Sequence, residues 1–344
     1  MRFFRFFSLL AVLGVIMISL SHDSSYGQPP VNPKTTPKTD PTPSKDKVEF
    51  KWKFEKDKSF FQEMTTKTTQ IMKVQGQDVN QVQEQTFYFK WTPTKVEPKS
   101  VTLKQTIEGI KMKIDIAGNP ITFDSTAQAG TGGAPSSPLS DFFKTIVGSE
   151  FTLTLNTETM KIEKVVGQEE FLKKLSSANQ AMESILKNIL SQEALKQMTD
   201  PTFGILPKTP IKKDETWKTN NKLDLNVIGV YDNEYSYKYL GEDEKKLDKI
   251  QVDVKITYKA PSVNQGLPFK IKSADLGTKD KQVPGTILFD RAKGRIAQYD
   301  ITLKLSGKLN IEIGNSTSDV EITQEQITSI KSGDSTFVKS PIAK

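Results

Sequence analysis

The chain has 344 residues, no cysteine, a single histidine (His22) and a net charge of +7. Without thiols there are no disulfides, no thiolate metal ligands and no cysteine-linked lipid anchor. The excess charge is lysine spread along the chain, with arginine only at positions 2, 5, 291 and 295, which argues against nucleic-acid recognition, where the planar guanidinium is preferred.

Arg2 and Arg5 precede an apolar run from Leu9 to Leu20, followed by the small-residue stretch Ser25-Tyr26-Gly27. This predicts a signal peptide over 1–27, the run being short for a membrane span. An uncleaved anchor is the alternative, because Phe3, Phe4, Phe6 and Phe7 lengthen the apolar stretch. Residues 28–47 hold six prolines among Thr, Lys and Asp, and predict an extended, disordered linker. The expected location is therefore outside the cytoplasm: periplasm, cell envelope or extracellular space.

From Val48 the pattern becomes period two. Ile110, Met112, Ile114 and Ile116 alternate with Lys and Asp, as do Ile250, Val252, Val254, Ile256 and Tyr258 with polar residues. Shorter runs repeat it at Phe151–Leu155, 223–227, 301–305 and 309–313. One dry and one wet face is the habit of antiparallel sheet. Gln75–Asp78, Asn156–Thr159 and Asp290–Gly294 read as turns. A Ser/Thr/Ala/Gly/Pro-rich loop is expected over 125–138.

Helical spacing interrupts the strands twice. Leu139, Phe142, Phe143, Ile146 and Val147, between Pro138 and Gly148, predict a short helix. Phe171 to Leu190, extended by Leu195 and Met198 and stopped by Pro201, predicts an insertion of two or three helices near 168–199. The fold class is α+β, mainly β: a curved antiparallel sheet, or half-barrel, carrying this insertion. The β-rich domain spans 48–334, with 335–344 as a tail. Phe89-Lys90-Trp91 and Tyr237-Lys238-Tyr239 suggest two similar halves, 48–166 and 205–334.

Since His22 lies in or beside the leader, the domain lacks imidazole as well as thiol. That removes Ser-His-Asp and Cys-His catalysis and the usual zinc, copper and haem ligands. Ser184-Ile185-Leu186-Lys187 matches S-x-x-K and Tyr231-Asp232-Asn233 resembles a second penicillin-binding motif, but no K-T-G follows. No carboxylate pair stands out for glycosidase chemistry. Glu242-Asp243-Glu244 lacks the calcium-loop pattern, and Gly130-Thr131-Gly132-Gly133 lacks the lysine and helix of a phosphate loop. Trp52, Trp91 and Trp217 read as core, with a ligand-cavity or carbohydrate platform as the alternative.

Two motifs resemble those of an uncharacterised family of exported bacterial proteins. One runs from Leu206-Pro207 through Pro210 to Asp214, Glu215, Thr216 and Trp217, similar to L-P-x-x-P-V-K-x-G-D-x-W, with Lys213 in place of the glycine. The other runs from Gly285 through Phe289-Asp290 to Gly294-Arg295, similar to G-x-x-x-F-D-x-x-x-G-R. Val147-Gly148 to Phe151-Thr152 is a third echo. The resemblance implies export and a β-rich domain, and no activity.

Accordingly no catalytic, cofactor-binding or metal-ligating residue is singled out. The expected function is a non-enzymatic structural or interaction protein of the envelope, with a half-barrel carrier of a hydrophobic ligand such as lipid as the first alternative and a carboxylate-dependent hydrolase as the second. The expected partners are another envelope protein or a lipid, not nucleic acid; the membrane is met only through an uncleaved leader.

Overall fold

The alternating segments form thirteen strands in the computed structural model, which describes residues 47–127, 143–178, 183, 186–187, 190–262, 269–279, 281–314 and 316–339. The predicted leader, most of the predicted linker, most of the 125–138 segment, Leu139, Phe142 and Ser184 lie outside the described residues. The strands are β1 (Phe60–Val74), β2 (Gln77–Val96), β3 (Ser100–Ile116), β4 (Asn119–Asp124), β5 (Glu150–Asn156), β6 (Lys161–Val166), β7 (Thr216–Asp224), β8 (Val230–Glu242), β9 (Asp248–Lys259), β10 (Lys270–Gly277), β11 (Gly285–Asp290), β12 (Arg295–Ile313) and β13 (Ser316–Gly333); two helices are α1 (Gln168–Ala178) and α2 (Gln192–Phe203).

All thirteen strands join one antiparallel sheet in the order β6-β5-β3-β2-β1-β13-β12-β10-β9-β8-β7, with β4 on β3 and β11 between β9 and β12. The first and last strands pair at its centre, from Phe61 opposite Gly333 to Val74 opposite Val320. Local turn chemistry sets the outward meander. Gln75 and Gly76, both at positive φ, make the two-residue turn between β1 and β2, and Ala117 and Gly118 repeat it between β3 and β4. Asn156 Oδ1 accepts the N–H groups of Glu158 and Thr159 between β5 and β6.

Eleven strands side by side would make a flat sheet roughly 48 Å wide. Yet α2, twelve residues and about 18 Å long, lies against both outermost strands, β6 and β7. The sheet is therefore curled, and α2 bridges its open seam, covering edges that would otherwise offer unpaired backbone groups. The strands themselves do not close into a barrel. Ala194 and Leu195 of α2, and Phe171 and Leu175 of α1, are buried.

Three local expectations need correction. Helix α2 does not stop at Pro201 but runs through it to Phe203. Proline has no N–H for the Gln197 carbonyl, and that oxygen takes the side-chain amide of Asn221 on β7 instead, at 3.5 Å. The 223–227 alternation is not one strand: β7 ends at Asp224, whose carboxylate accepts the Asn226 N–H at 3.0 Å and starts a 3-10 turn over Asn226–Ile228. Conversely, the 301–305 and 309–313 runs belong to the single strand β12.

Before β1 the chain forms a strap across one end of the sheet. Val48 and Ile211 exchange two backbone hydrogen bonds of 2.8 and 2.9 Å, and Lys53 N–H donates to the Gly294 carbonyl at 3.0 Å. The strap inserts Phe50 edge-on to Tyr239 and Phe289, and Trp52 edge-on to Phe203 and Phe289. The two motif segments thus hold it from either side. Gly294 has φ +60°, and a Cβ there would lie 2.5 Å from the Lys53 nitrogen, so glycine is needed for both conformation and close approach.

Gly294→Ala is expected to free the strap and cost about 2–4 kcal/mol, seen as a lower denaturation midpoint and a more solvent-exposed Trp52 emission. At the seam, Gln197 Oε1 accepts the Asp224 N–H at 2.7 Å. Gln197→Ala is expected to cost about 1–2 kcal/mol and to speed hydrogen exchange of the Asp224 amide selectively.

Candidate functional site

The sheet buries one face, and along most strands that face is aliphatic or aromatic. The three central strands break the rule. On β1 the inward positions after Met64 are Thr66, Thr68 and Gln70; on β2, before Phe87, they are Gln81, Gln83 and Gln85; on β13, before Ile330, they are Gln324, Gln326 and Thr328. Register aligns them in three rows: Gln85–Thr66–Thr328, Gln83–Thr68–Gln326 and Gln81–Gln70–Gln324. At ordinary strand and residue spacings this island measures about 10 by 14 Å between its outer Cα atoms.

Apolar side chains ring the island. Met112, Ile114 and Ile116 of β3 lie opposite its β2 side, and Ile301, Leu303 and Leu305 of β12 opposite its β13 side. The row Phe87–Met64–Ile330 closes one end and Val79–Met72–Ile322 the other. Eight of the nine polar residues are buried, Gln324 being intermediate; Gln70, Gln81, Gln83 and Gln85 are each 1% exposed.

Hydrogen bonding inside the island is incomplete. Gln83 Nε2 donates to Gln85 Oε1 at 3.0 Å, Gln326 Nε2 to Thr328 Oγ1 at 3.2 Å, and the Thr66 and Thr328 hydroxyls meet at 3.4 Å. Both amide atoms of Gln70, Oε1 of Gln81 and Gln83, and Nε2 of Gln85 have no partner among the described residues. A buried unsatisfied polar atom costs about 1–3 kcal/mol, and five of them weigh heavily against a native margin of about 5–15 kcal/mol. The unmatched atoms include donors and acceptors, and no member of the island ionises. Such a surface is suited to hydrogen-bonding an uncharged polar group whose flanks are apolar.

A second cluster joins the end of the β8–β9 hairpin to the turn after β11. Asp248, 0% exposed, accepts the Tyr239 hydroxyl at 2.7 Å and the Arg291 Nε–H, while Arg291 Nη2 reaches Glu242 at 3.0 Å. Burial, then the bond to Asp248, raises the Tyr239 phenol above its usual range. Arg291 engages both carboxylates, and neither Asp248 nor Tyr239 lines any of the described clefts. The cluster is a clamp whose Asp248 is buried while Arg291 and Glu242 reach the surface.

The residues weighed from sequence scatter. Tyr231 packs on Tyr258, Asp232 pairs with Lys259 at 2.6 Å, and Asn233 donates to the Asn221 and Tyr231 carbonyls. Asp243 caps the Lys245 and Leu247 N–H groups in the β8–β9 turn. Trp52, Trp91 and Trp217 donate to the Phe203 carbonyl, the Gln62 amide and the Ile205 carbonyl, each at 2.8 Å. Ser184 and Gly130–Gly133 lie outside the described residues. Among the described residues no three acidic or imidazole side chains converge as metal ligands. Sequence reasoning missed the island, although Gln81-x-Gln83-x-Gln85 running into Phe87-x-Phe89-x-Trp91 carries its signal: polar residues held in the inward phase of a strand.

Among solved structures, the chain is similar to lipovitellin, described for its lipid–protein interactions, at 10% identity and a TM-score of 0.36 over 85% of this chain; it spans 26% of the lipovitellin chain. It is also similar to DynF of the dynemicin biosynthesis pathway of Micromonospora chersina (8% identity, TM-score 0.18, 88% of this chain and 92% of that one) and to OccK5 of Pseudomonas aeruginosa (6%, 0.21, 80% and 98%). Likenesses this distant carry no argument about function. A search of curated proteins finds no match. The model of a family of unknown function, DUF6263, matches residues 98–313, from the turn before β3 to the end of β12 and including both motif segments, and the chain belongs to that family.

Proposed function

We propose that this is an exported, non-enzymatic binding protein that holds a small, uncharged, amphipathic molecule against the Gln/Thr island inside its curled sheet. The observation that carries the reading is the island itself. Aliphatic residues would fit the same nine positions, as they do on β3 and β12, and would leave no buried amide unmatched. Positions that break the local rule at a cost in stability are where function is expected.

The surroundings support the same chemistry. A polar patch ringed by Met, Ile, Leu, Val and Phe favours a ligand with a hydrogen-bonding middle and apolar flanks. The leader pattern, Arg2 and Arg5 before Leu9–Leu20, supports export. The absence of cysteine and of any histidine beyond His22 supports binding over catalysis, and Asp248 is committed to Arg291 and Tyr239. The exposed apolar side chains Ile71, Val82 and Ile327 share the outer face of the adjacent strands β1, β2 and β13, interspersed there with Lys67, Thr69, Glu84 and Glu325, a mixed surface that supports the interaction-module reading less than the island supports binding.

Native mass spectrometry of the protein purified from its own envelope is expected to show a bound, uncharged small molecule. The double variant Gln83→Leu, Gln85→Leu removes two amides together with their mutual bond. It is expected to lose the bound species while the ligand-free protein becomes more stable by about 1–3 kcal/mol. A wild-type protein that carries nothing and a variant less stable than wild type would together mean that the island serves the fold alone.

A further inference from the structure

A separate cleft of about 290 Å³ opens where the strap meets the turn between β11 and β12. Its lining combines the rings of Trp52, Phe54 and Phe60 with the cations Lys293 and Arg295. The rings are braced: Trp52 stacks on Phe54 at 6.5 Å, Phe60 on Trp91 at 6.1 Å, and the Arg295 guanidinium sits over the Phe60 ring at 5.6 Å. In a chain whose basic residues are nearly all lysine, this arginine belongs to the G-x-x-x-F-D-x-x-x-G-R motif.

The two cations converge on one carboxylate. Lys293 Nζ reaches Asp334 at 2.5 Å and Arg295 Nη2 donates to its other oxygen. Exposure is asymmetric: the Arg295 side chain is 14% exposed, the Asp334 side chain 62%. Arg295 is thus set into the wall, while Lys293, its side chain 49% exposed, and the carboxylate come to it from the solvent side, Asp334 on the segment that follows β13. The hydrogen bonds from Lys293 and Arg295 hold the Asp334 carboxyl down to about 2.

We propose that this cleft is a binding site for a small organic carboxylate with a flat apolar body, and that Asp334 occupies the carboxylate position as a built-in stand-in that such a ligand displaces. The aromatic wall takes the apolar body, and Lys293 and Arg295 take the charge. The volume is at the small end for ligand sites, suiting one or two rings rather than a polymer. This site is distinct from the island and does not depend on it.

The test is titration of the full chain with 2-naphthoate and its uncharged isostere 2-naphthamide, read at the Trp52 indole N–H by NMR, a probe local to the cleft. Asp334→Ala is expected to bind naphthoate at least ~10-fold more tightly than wild type, since a tethered competitor acts at roughly millimolar effective concentration. Naphthamide should bind at least ~10-fold more weakly to the same variant, and Arg295→Gln added to it should abolish the preference. Asp334→Asn, which keeps the side-chain shape, gives the same comparison if the alanine variant folds poorly. Failure of both Asp334 variants to bind naphthoate, or equal binding of naphthoate and naphthamide, would overturn the proposal and leave Asp334 as a clamp for the chain end.

Discussion

Pairing of the first strand with the last governs this molecule. Because β1 and β13 lie together at the centre, the chain builds the sheet outward to β6 and then, from β7, inward again. Both free edges therefore come from the middle of the sequence, on either side of the helical insertion. That placement lets one short helix reach both: α2 follows β6 and precedes β7, so it is tethered to each edge. Curvature, sealing of the seam and burial of the concave face all depend on this order. A sheet whose termini lay at its edges would have no linking segment available to bridge them.

The same pairing assembles the island. Its three strands come from opposite ends of the chain, with Gln85 and Gln326 more than two hundred residues apart in sequence. The register of fourteen consecutive pairs between β1 and β13 brings Thr66 to Thr328 and Gln70 to Gln324. A slip of one residue would turn the whole polar set outward. The island has apolar neighbours on all sides and lies in the interior of ladders of fourteen and fifteen pairs, not at a strand end.

Much of the architecture was legible in the sequence because period-two patterning and turn chemistry act locally. The Ile110–Ile116 and Ile250–Tyr258 alternations, the Gln75-Gly76 turn and the helical spacing after Gln168 each describe their own element. What was not legible was non-local. Pro201 reads as a stop because the sequence cannot show Asn221 waiting for the freed Gln197 carbonyl. The 309–313 run reads as a separate strand because nothing in it shows that Ser306-Gly307-Lys308 continue β12. The motif glycines read as punctuation; only the strap at 2.5 Å from a Gly294 Cβ explains why that position must stay bare. The island was hidden for the same reason: Thr and Gln in a strand look like a wet face until the partner strands fix which side is inside.

Whether the island is a binding surface can be asked of its own atoms. Side-chain amide NMR of Gln70, Gln81, Gln83 and Gln85 should be recorded on protein purified from its native cells and again after unfolding, extraction with organic solvent and refolding. The account predicts that all four amide pairs shift together on stripping while the Gln197 amide at the seam stays in place. Four unchanged spectra, with the same slow side-chain exchange before and after, would contradict it.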